Sequence, residues 1–294
     1  MPGNELEVVV ELLRSLDLGA RTLDEQRRLI DASAGTANST TVVAVDAGGA
    51  PCEWVCVAGA TPTRTVIALR GGGYCLGSLT SNRRFCELLG DVTSARVLNV
   101  GYRNAPEHPY PAALDDAMAA YEWLLRTGTD PASVVVAGNS AGGGLALALL
   151  MALRDRDVAL PGAAAVISPW TDLANTGDSI ATNAATEVML DPAHITETAA
   201  RYVDADRLRH PYVSPIYGDF TGLPPLIVHA STTEILRDDA VRLADRARSC
   251  GIDVTLELTA DMPHVWHLFA GLLPEADDAM LRIGMWIDER LGAT

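Results

Sequence analysis

The chain contains no lysine; all 22 of its basic residues are arginine. That absence removes several chemistries at once, because a phosphate-loop NTPase, a pyridoxal enzyme and a Ser-Lys hydrolase each need a lysine amine. Basic residues are also outnumbered, 22 against 38 acidic ones, for a net charge of −16. No arginine-rich run offsets the balance, so neither nucleic acid nor an anionic membrane surface is expected as a partner, and small neutral substrates fit better. No apolar run approaches the roughly 20 residues of a membrane span. The first 16 residues carry acidic side chains where a secretory signal carries basic ones, so a cytoplasmic protein is expected. The five cysteines (Cys52, Cys56, Cys75, Cys86, Cys250) are odd in number and scattered. Cys52 and Cys56 have no answering second pair, which leaves reduced thiols and no zinc site.

What is present is ample material for a core: 294 residues, 48% of them hydrophobic. Short β-rich apolar runs at 41–46, 53–58, 65–69, 96–100, 133–137, 163–167, 226–230 and 254–258 read as eight strands. Helical patterns at 83–90, 112–126, 141–154, 236–250 and 275–291 fall between most of them. This alternation predicts an α/β fold with a mostly parallel sheet covered by helices on both faces. The first two strands have no helix between them and should form a hairpin turning at Ala47-Gly48-Gly49. Two stretches break the alternation: an amphipathic N-terminus (Leu6, Val9, Val10, Leu13, Leu16) and a segment from Ala174 to about Tyr212, read as largely helical. Packed together they would form a cap.

The strongest chemical signal is an apolar strand running into Gly138-Asn139-Ser140-Ala141-Gly142-Gly143 and then into a helix of small residues. Gly-x-Ser-x-Gly between strand and helix is a nucleophile elbow: the turn strains the serine and lifts its hydroxyl above the sheet, and the helix start offers N–H groups to an oxyanion. A dinucleotide-binding reading would need glycine at position 140. Upstream, a strand runs into Arg70-Gly71-Gly72-Gly73-Tyr74, where glycines let backbone N–H groups approach a ligand.

With Tyr102-Arg103-Asn104-Ala105-Pro106-Glu107-His108-Pro109-Tyr110-Pro111-Ala112-Ala113, these segments resemble the hormone-sensitive-lipase-like (bacterial family IV) esterases of the α/β-hydrolase superfamily. The family signatures are His-Gly-Gly-Gly, Gly-Asp-Ser-Ala-Gly-Gly and Tyr-Arg-x-Ala-Pro-Glu-x-Pro-x-Pro-Ala-Ala. The resemblance implies an α/β-hydrolase fold with a helical cap, divided as 1–35 (cap), 36–173 (core), 174–212 (cap insertion) and 213–294 (core). It also implies a triad in the chain order Ser, acid, His. Glu234, after the strand at 226–230, stands at the usual aspartate position, and His264, in Asp261-Met-Pro-His264-Val-Trp-His267, at the histidine. Asp238 is the fallback acid, better explained as complementing a helix N-terminus. His267 is the rival histidine. His108 reads as a structural residue of the Ala-Pro-Glu-His-Pro turn, His194, His210 and His229 show no partner in the sequence, Asp172 reads as a local cap, and Glu107 and Arg103 are expected to brace loops near the site.

The implied activity is that of a serine carboxylesterase acting on short- to medium-chain esters through an acyl-enzyme, with Gly72, Gly73 and Ala141 as oxyanion donors and no cofactor or metal. Leu6, Val9, Val10, Val188, Met189 and Leu190 are candidate pocket residues. A homodimer through the C-terminal sheet edge or helix is expected from family habit. The rivals are a binding protein that kept the fold without catalysis, and a lactonase or amidase with the same triad. Three positions depart from the family pattern: Arg70 for His, Asn139 for Asp and Glu234 for Asp. Arg70 is expected to pair with a nearby carboxylate.

Overall fold

The structure, a computed structural model, describes residues 4–32 and 40–292. The parts of the N-terminal cap segment at 1–3 and 33–35 lie outside the described residues. Eight strands form one sheet: β1 (Thr41–Ala47), β2 (Ala50–Cys56), β3 (Thr61–Leu69), β4 (Ala95–Val100), β5 (Val134–Asn139), β6 (Ala163–Ile167), β7 (Leu226–Ser231) and β8 (Val254–Thr259). Their spatial order is β1-β2-β4-β3-β5-β6-β7-β8. Only the β1–β2 and β2–β4 pairs are antiparallel, and the remaining five are parallel. The expected hairpin is present, with Ala47 opposite Ala50 across Gly48-Gly49.

The described helices are α1 (Asn4–Leu16), α2 (Leu23–Ala32), α3 (Leu79–Thr93), α4 (Ala112–Arg126), α5 (Ala141–Asp155), α6 (Ser179–Thr182), α7 (Pro192–Tyr202), α8 (Arg237–Ser249) and α9 (Pro274–Leu291). The central strands are buried on both faces, which is why they read as unbroken apolar runs. Val134 and Val136 face a core shared with Tyr121 and Leu124 of α4, Leu145 and Leu149 of α5 and Leu243 of α8. Val135 and Ala137 face the opposite core, with Phe85 and Leu89 of α3 and Met280, Ile283 and Ile287 of α9. Each fully buried Leu or Ile contributes roughly 1.5–3 kcal/mol relative to exposure, so the two layers clamp the sheet and fix where its strand ends lie. No helix among the described residues is long and apolar enough to cross a membrane.

The segment from 174 to 212 is less helical than its sequence suggested. It holds only the four-residue α6, the eleven-residue α7 and a short 3-10 turn. Asn175, Gly177, Asp178, Asn183 and Pro192 punctuate it, and these residues stabilise turns and caps in preference to helix interiors. α7 begins where Asp191 accepts the N–H groups of Ala193 and His194 with Pro192 at the first helical position.

Candidate active site

Parallel strands present their C-terminal ends on one edge, and the ends of β3, β5, β6, β7 and β8 build the site. β5 delivers Ser140 with φ 51° and ψ −124°, a strained conformation worth roughly 1–3 kcal/mol that the flanking contacts must hold. Its carbonyl accepts the N–H groups of Gly143, at 2.9 Å, and Trp170, at 3.0 Å. A side chain at Gly142 would overlap the Leu69 carbonyl oxygen, so glycine is obligatory where the elbow presses against β3.

Beyond β7, Glu234 is buried, and each of its oxygens is engaged. Oε2 lies 2.6 Å from His264 Nδ1. Oε1 accepts the Ser231 N–H at 2.6 Å and the Ser168 hydroxyl at 3.1 Å. Ser168, directly after β6, also accepts the Val265 N–H at 3.2 Å, so one hydroxyl ties the acid to the loop carrying the histidine. The glutamate's additional methylene is thus accommodated by a complete set of donors. His264 is buried, and its Nε2 has no hydrogen-bond partner among the described residues. Ser140 and His264 line the same cleft.

Beyond β3, Gly72 and Gly73 adopt φ 104° and 59°, values that favour glycine. Their N–H groups, and that of Ala141 at the first position of α5, have no acceptor among the described residues. Ala141 belongs to the helix start, whose N–H groups have no partner within the helix.

Arg70 departs from its expectation. No carboxylate among the described residues pairs with it; Asp116 accepts from Arg103 and Asp31 from Ser78. Instead the guanidinium is buried and lies 3.6 Å from the centroid of the Tyr102 ring. It donates to the Leu76 carbonyl at 3.3 Å, the Tyr102 carbonyl at 2.7 Å and Asn104 Oδ1. The Tyr102 hydroxyl donates back to the Arg70 carbonyl at 2.8 Å. Burial lowers the guanidinium's proton affinity. Arg70 therefore joins the glycine loop to the 102–104 segment, its N–H groups satisfied by carbonyl and amide oxygens.

Arg103 and Glu107 do brace loops, though not each other: Arg103 is paired with Asp116 at 2.9 Å and Glu107 with Arg27 of α2 at 2.7 Å. Asp172 accepts from Ala174, Thr176, Tyr217 and Arg242. Asp238 accepts the Ser179 N–H and pairs with Arg237, away from His264. His267 is buried in a different environment, its Nε2 3.1 Å from His229 Nδ1. His210 packs against Tyr110 and Tyr212.

The cleft encloses about 200 Å³. Met189 and Leu190 line it as expected, but Leu6, Val9, Val10 and Val188 do not. Leu6 is buried in the core under α3 and α9. The N-terminal lining comes instead from Leu18, Gly19, Gln26 and Ile30, joined by Phe85 and Trp170. Sequence reasoning also missed Ser168, Asn183 and Glu187. Asn183 donates to the carbonyls of Thr232 and Glu234, both at 2.9 Å, and Glu187 accepts the Ile235 N–H at 3.1 Å. Ser168 was findable by the rule that sites gather beyond the carboxyl ends of parallel strands. No local signal marked the other two.

Comparison with known proteins agrees with this geometry. Residues 66–268 match the family described as alpha/beta hydrolase fold. The chain is 38% identical to an esterase from the bacterial hormone-sensitive lipase family, with a TM-score of 0.95 over 99% of this chain and 100% of that one. The chain belongs to the hormone-sensitive-lipase-like esterases of the α/β-hydrolase superfamily. It is 43% identical, over 99% of both chains, to an acetyl-hydrolase of Streptomyces hygroscopicus. An esterase of Acinetobacter venetianus is 33% identical over 76% of this chain and 74% of its own. Among solved structures, EstE5 soaked with p-nitrophenyl butyrate is 38% identical over 99% of this chain and 100% of that one, with a TM-score of 0.95.

Proposed function

We propose that this protein is a serine carboxylesterase hydrolysing short- to medium-chain carboxylic esters through an acyl-enzyme intermediate. The observation that carries the mechanism is the buried Glu234–His264 pair, 2.6 Å apart, beside a strained Ser140 in one cleft. Ser140 Oγ attacks the ester carbonyl while His264 Nε2 takes its proton, then returns it to the departing alcohol. Glu234 holds the imidazole with its proton on Nδ1 and stabilises the imidazolium. The N–H groups of Gly72, Gly73 and Ala141 receive the oxyanion, each donor worth roughly 3–4 kcal/mol of barrier. Water then repeats the attack on the acyl-enzyme, with His264 again as base. No step calls for a group the chain does not carry.

We read residues 1–35 and 174–212 as the cap over a core of 36–173 and 213–294. Support comes from Arg27, which donates to the Cys75 and Ala105 carbonyls, and from Tyr202, stacked 3.8 Å from Tyr74. The five free thiols support a cytoplasmic location. Exposed Leu258 on edge strand β8, with Leu281 and Met285 on α9, supports a homodimer. Hydrolysis of p-nitrophenyl acetate, butyrate, octanoate and laurate by the protein and by Ser140→Ala tests the activity. Turnover that peaks at short acyl chains and vanishes in the variant is expected; background rates in both proteins would leave a binding protein on this fold.

A further inference from the structure

Two side chains of the cleft have no part in the mechanism above and share one face of α7. His194 and Arg201 are seven residues apart, nearly two helical turns, so they project in the same direction, with Thr198 between them. All three line the cleft. The face is pressed against the oxyanion loop: a side chain at Gly73 would meet Thr198 Cγ2 at 2.5 Å. Arg201 is also close enough to Cys75, in the same wall, to act on its thiol electrostatically. The His194 imidazole has no hydrogen-bond partner among the described residues, and Arg201 has only Glu197, exposed and 3.6 Å away.

The other charged side chains nearby are spoken for. Arg70 is committed to carbonyls and Asn104, and Arg27 to Glu107, by two bonds of 2.7 Å. Asp191, the one carboxylate lining the cleft among the described residues, has Oδ1 engaged in capping α7 at the His194 end. Among the described residues Arg201 is thus the cleft arginine whose only ion-pair partner is a solvent-exposed carboxylate, and it lines the same cleft as Ser140.

We infer that the enzyme prefers esters bearing a carboxylate at the end remote from the scissile bond, held by Arg201 with His194 as a neighbouring donor. This rests on the esterase reading and narrows its substrate class. The net charge of −16 argues for neutral substrates only at long range. At physiological ionic strength the screening length is about 8 Å, so a guanidinium inside the cleft outweighs the distant surface carboxylates. Arginine suits the task because its planar fork meets a carboxylate with two parallel N–H bonds.

The test compares ester pairs that differ in whether the remote end carries a carboxylate, each rate taken above hydrolysis in buffer alone and each anion/neutral ratio read against the same ratio in Arg201→Gln. Mono-4-nitrophenyl glutarate against 4-nitrophenyl valerate places the charge on the acyl side; 4-acetoxybenzoate against its methyl ester places it on the alcohol side. One pair is expected to show kcat/KM at least about tenfold higher for the anion, the scale of a single charge-assisted hydrogen bond. That ratio should collapse in Arg201→Gln, recover in part in Arg201→Lys, and persist in Arg209→Gln, an equal charge change on the exposed cap surface. The inference is overturned if both pairs favour the neutral ester, or if the ratio survives Arg201→Gln. If none of the four esters is turned over beyond the Ser140→Ala background, it is the esterase reading that fails.

Discussion

His264 and His267 stand three residues apart on one loop, both buried, in opposite electrostatic company. His264 meets the carboxylate of Glu234, which accepts a hydrogen bond from the ring at Nδ1, 2.6 Å away. His267 meets another imidazole, His229, whose own partner groups are Arg282 and a Glu257 oxygen 3.5 Å away that Arg282 also holds. Burial drives the His229 pKa down to about 3 and also lowers that of His267 well below the usual range, helped by His229 and Arg282. Position in the sequence does not separate the two histidines; access to the cleft and a carboxylate behind the ring do. His267 has neither.

The largest effect expected of this contrast is on turnover. Ser140→Ala or His264→Ala should lower kcat by about 10⁵-fold or more, the scale seen when a triad acts as a unit. His267→Ala should keep kcat within about threefold while removing its bond to His229, at a stability cost of about 1–3 kcal/mol. Steady-state kinetics and thermal melting on the same two variants separate the roles. Next in size is Glu234→Gln, which leaves the ring in place with its proton misdirected and should cost about 10⁴ in kcat. Glu234→Asp should fall between that variant and the parent, because the shorter side chain must reach His264, Ser231 and Ser168 from the same backbone.

Arg70→Ala should lower kcat/KM by about 10²-fold, the scale of a roughly 1 Å displacement of positioned donors. Arg70→His, the residue of the family pattern, should lose less. Equal kcat/KM for the parent and Arg70→Ala across acyl chain lengths would remove the bracing role.

The smallest and most gradual effect is on acid stability. His229 and His267 carry folded-state pKa values depressed below the unfolded value near 6.5, so protons bind the unfolded chain preferentially as pH falls. Their contribution to stability is therefore complete above about pH 6.5 and declines below it. The slope is up to about 1.4 kcal/mol per pH unit for each histidine, continuing toward pH 3 for His229. Melting curves from pH 7 to pH 4 should be shallower in His267→Ala, which removes one of the two groups.

The strand pattern was legible because β3 and β5 to β7 are buried on both faces and so leave unbroken apolar runs in the sequence. The boundaries moved where local chemistry was unusual. α3 starts at Leu79, four residues ahead of its apolar pattern, because Ser78 and Ser81 form a reciprocal cap in which serine replaces the more familiar Glu or Gln. β3 starts at Thr61, with a register shift between Thr61 and Thr65 that alternation does not reveal. At the site, Ser140, Glu234 and His264 could be proposed together because each follows a strand in a recognisable order, and the fold brings Glu234 against His264 and puts His264 and Ser140 in one cleft. The partners of Arg70 were not, since Tyr102 and Asn104 lie more than 30 residues away and become neighbours only when β4 pairs with β3. The cleft wall from α2 was hidden for the same reason, its contacts being made across the fold.

The central claim is that Ser140 is the nucleophile served by His264 and Glu234. Diethyl 4-nitrophenyl phosphate transfers a stable phosphoryl group to an activated serine, and intact-mass measurement followed by peptide mapping locates it. One adduct per chain on Ser140 is predicted, forming in step with loss of esterase activity and at least about 10³-fold slower in Glu234→Gln. A modified protein that keeps its activity, or an adduct on any other residue that abolishes it, would contradict the account.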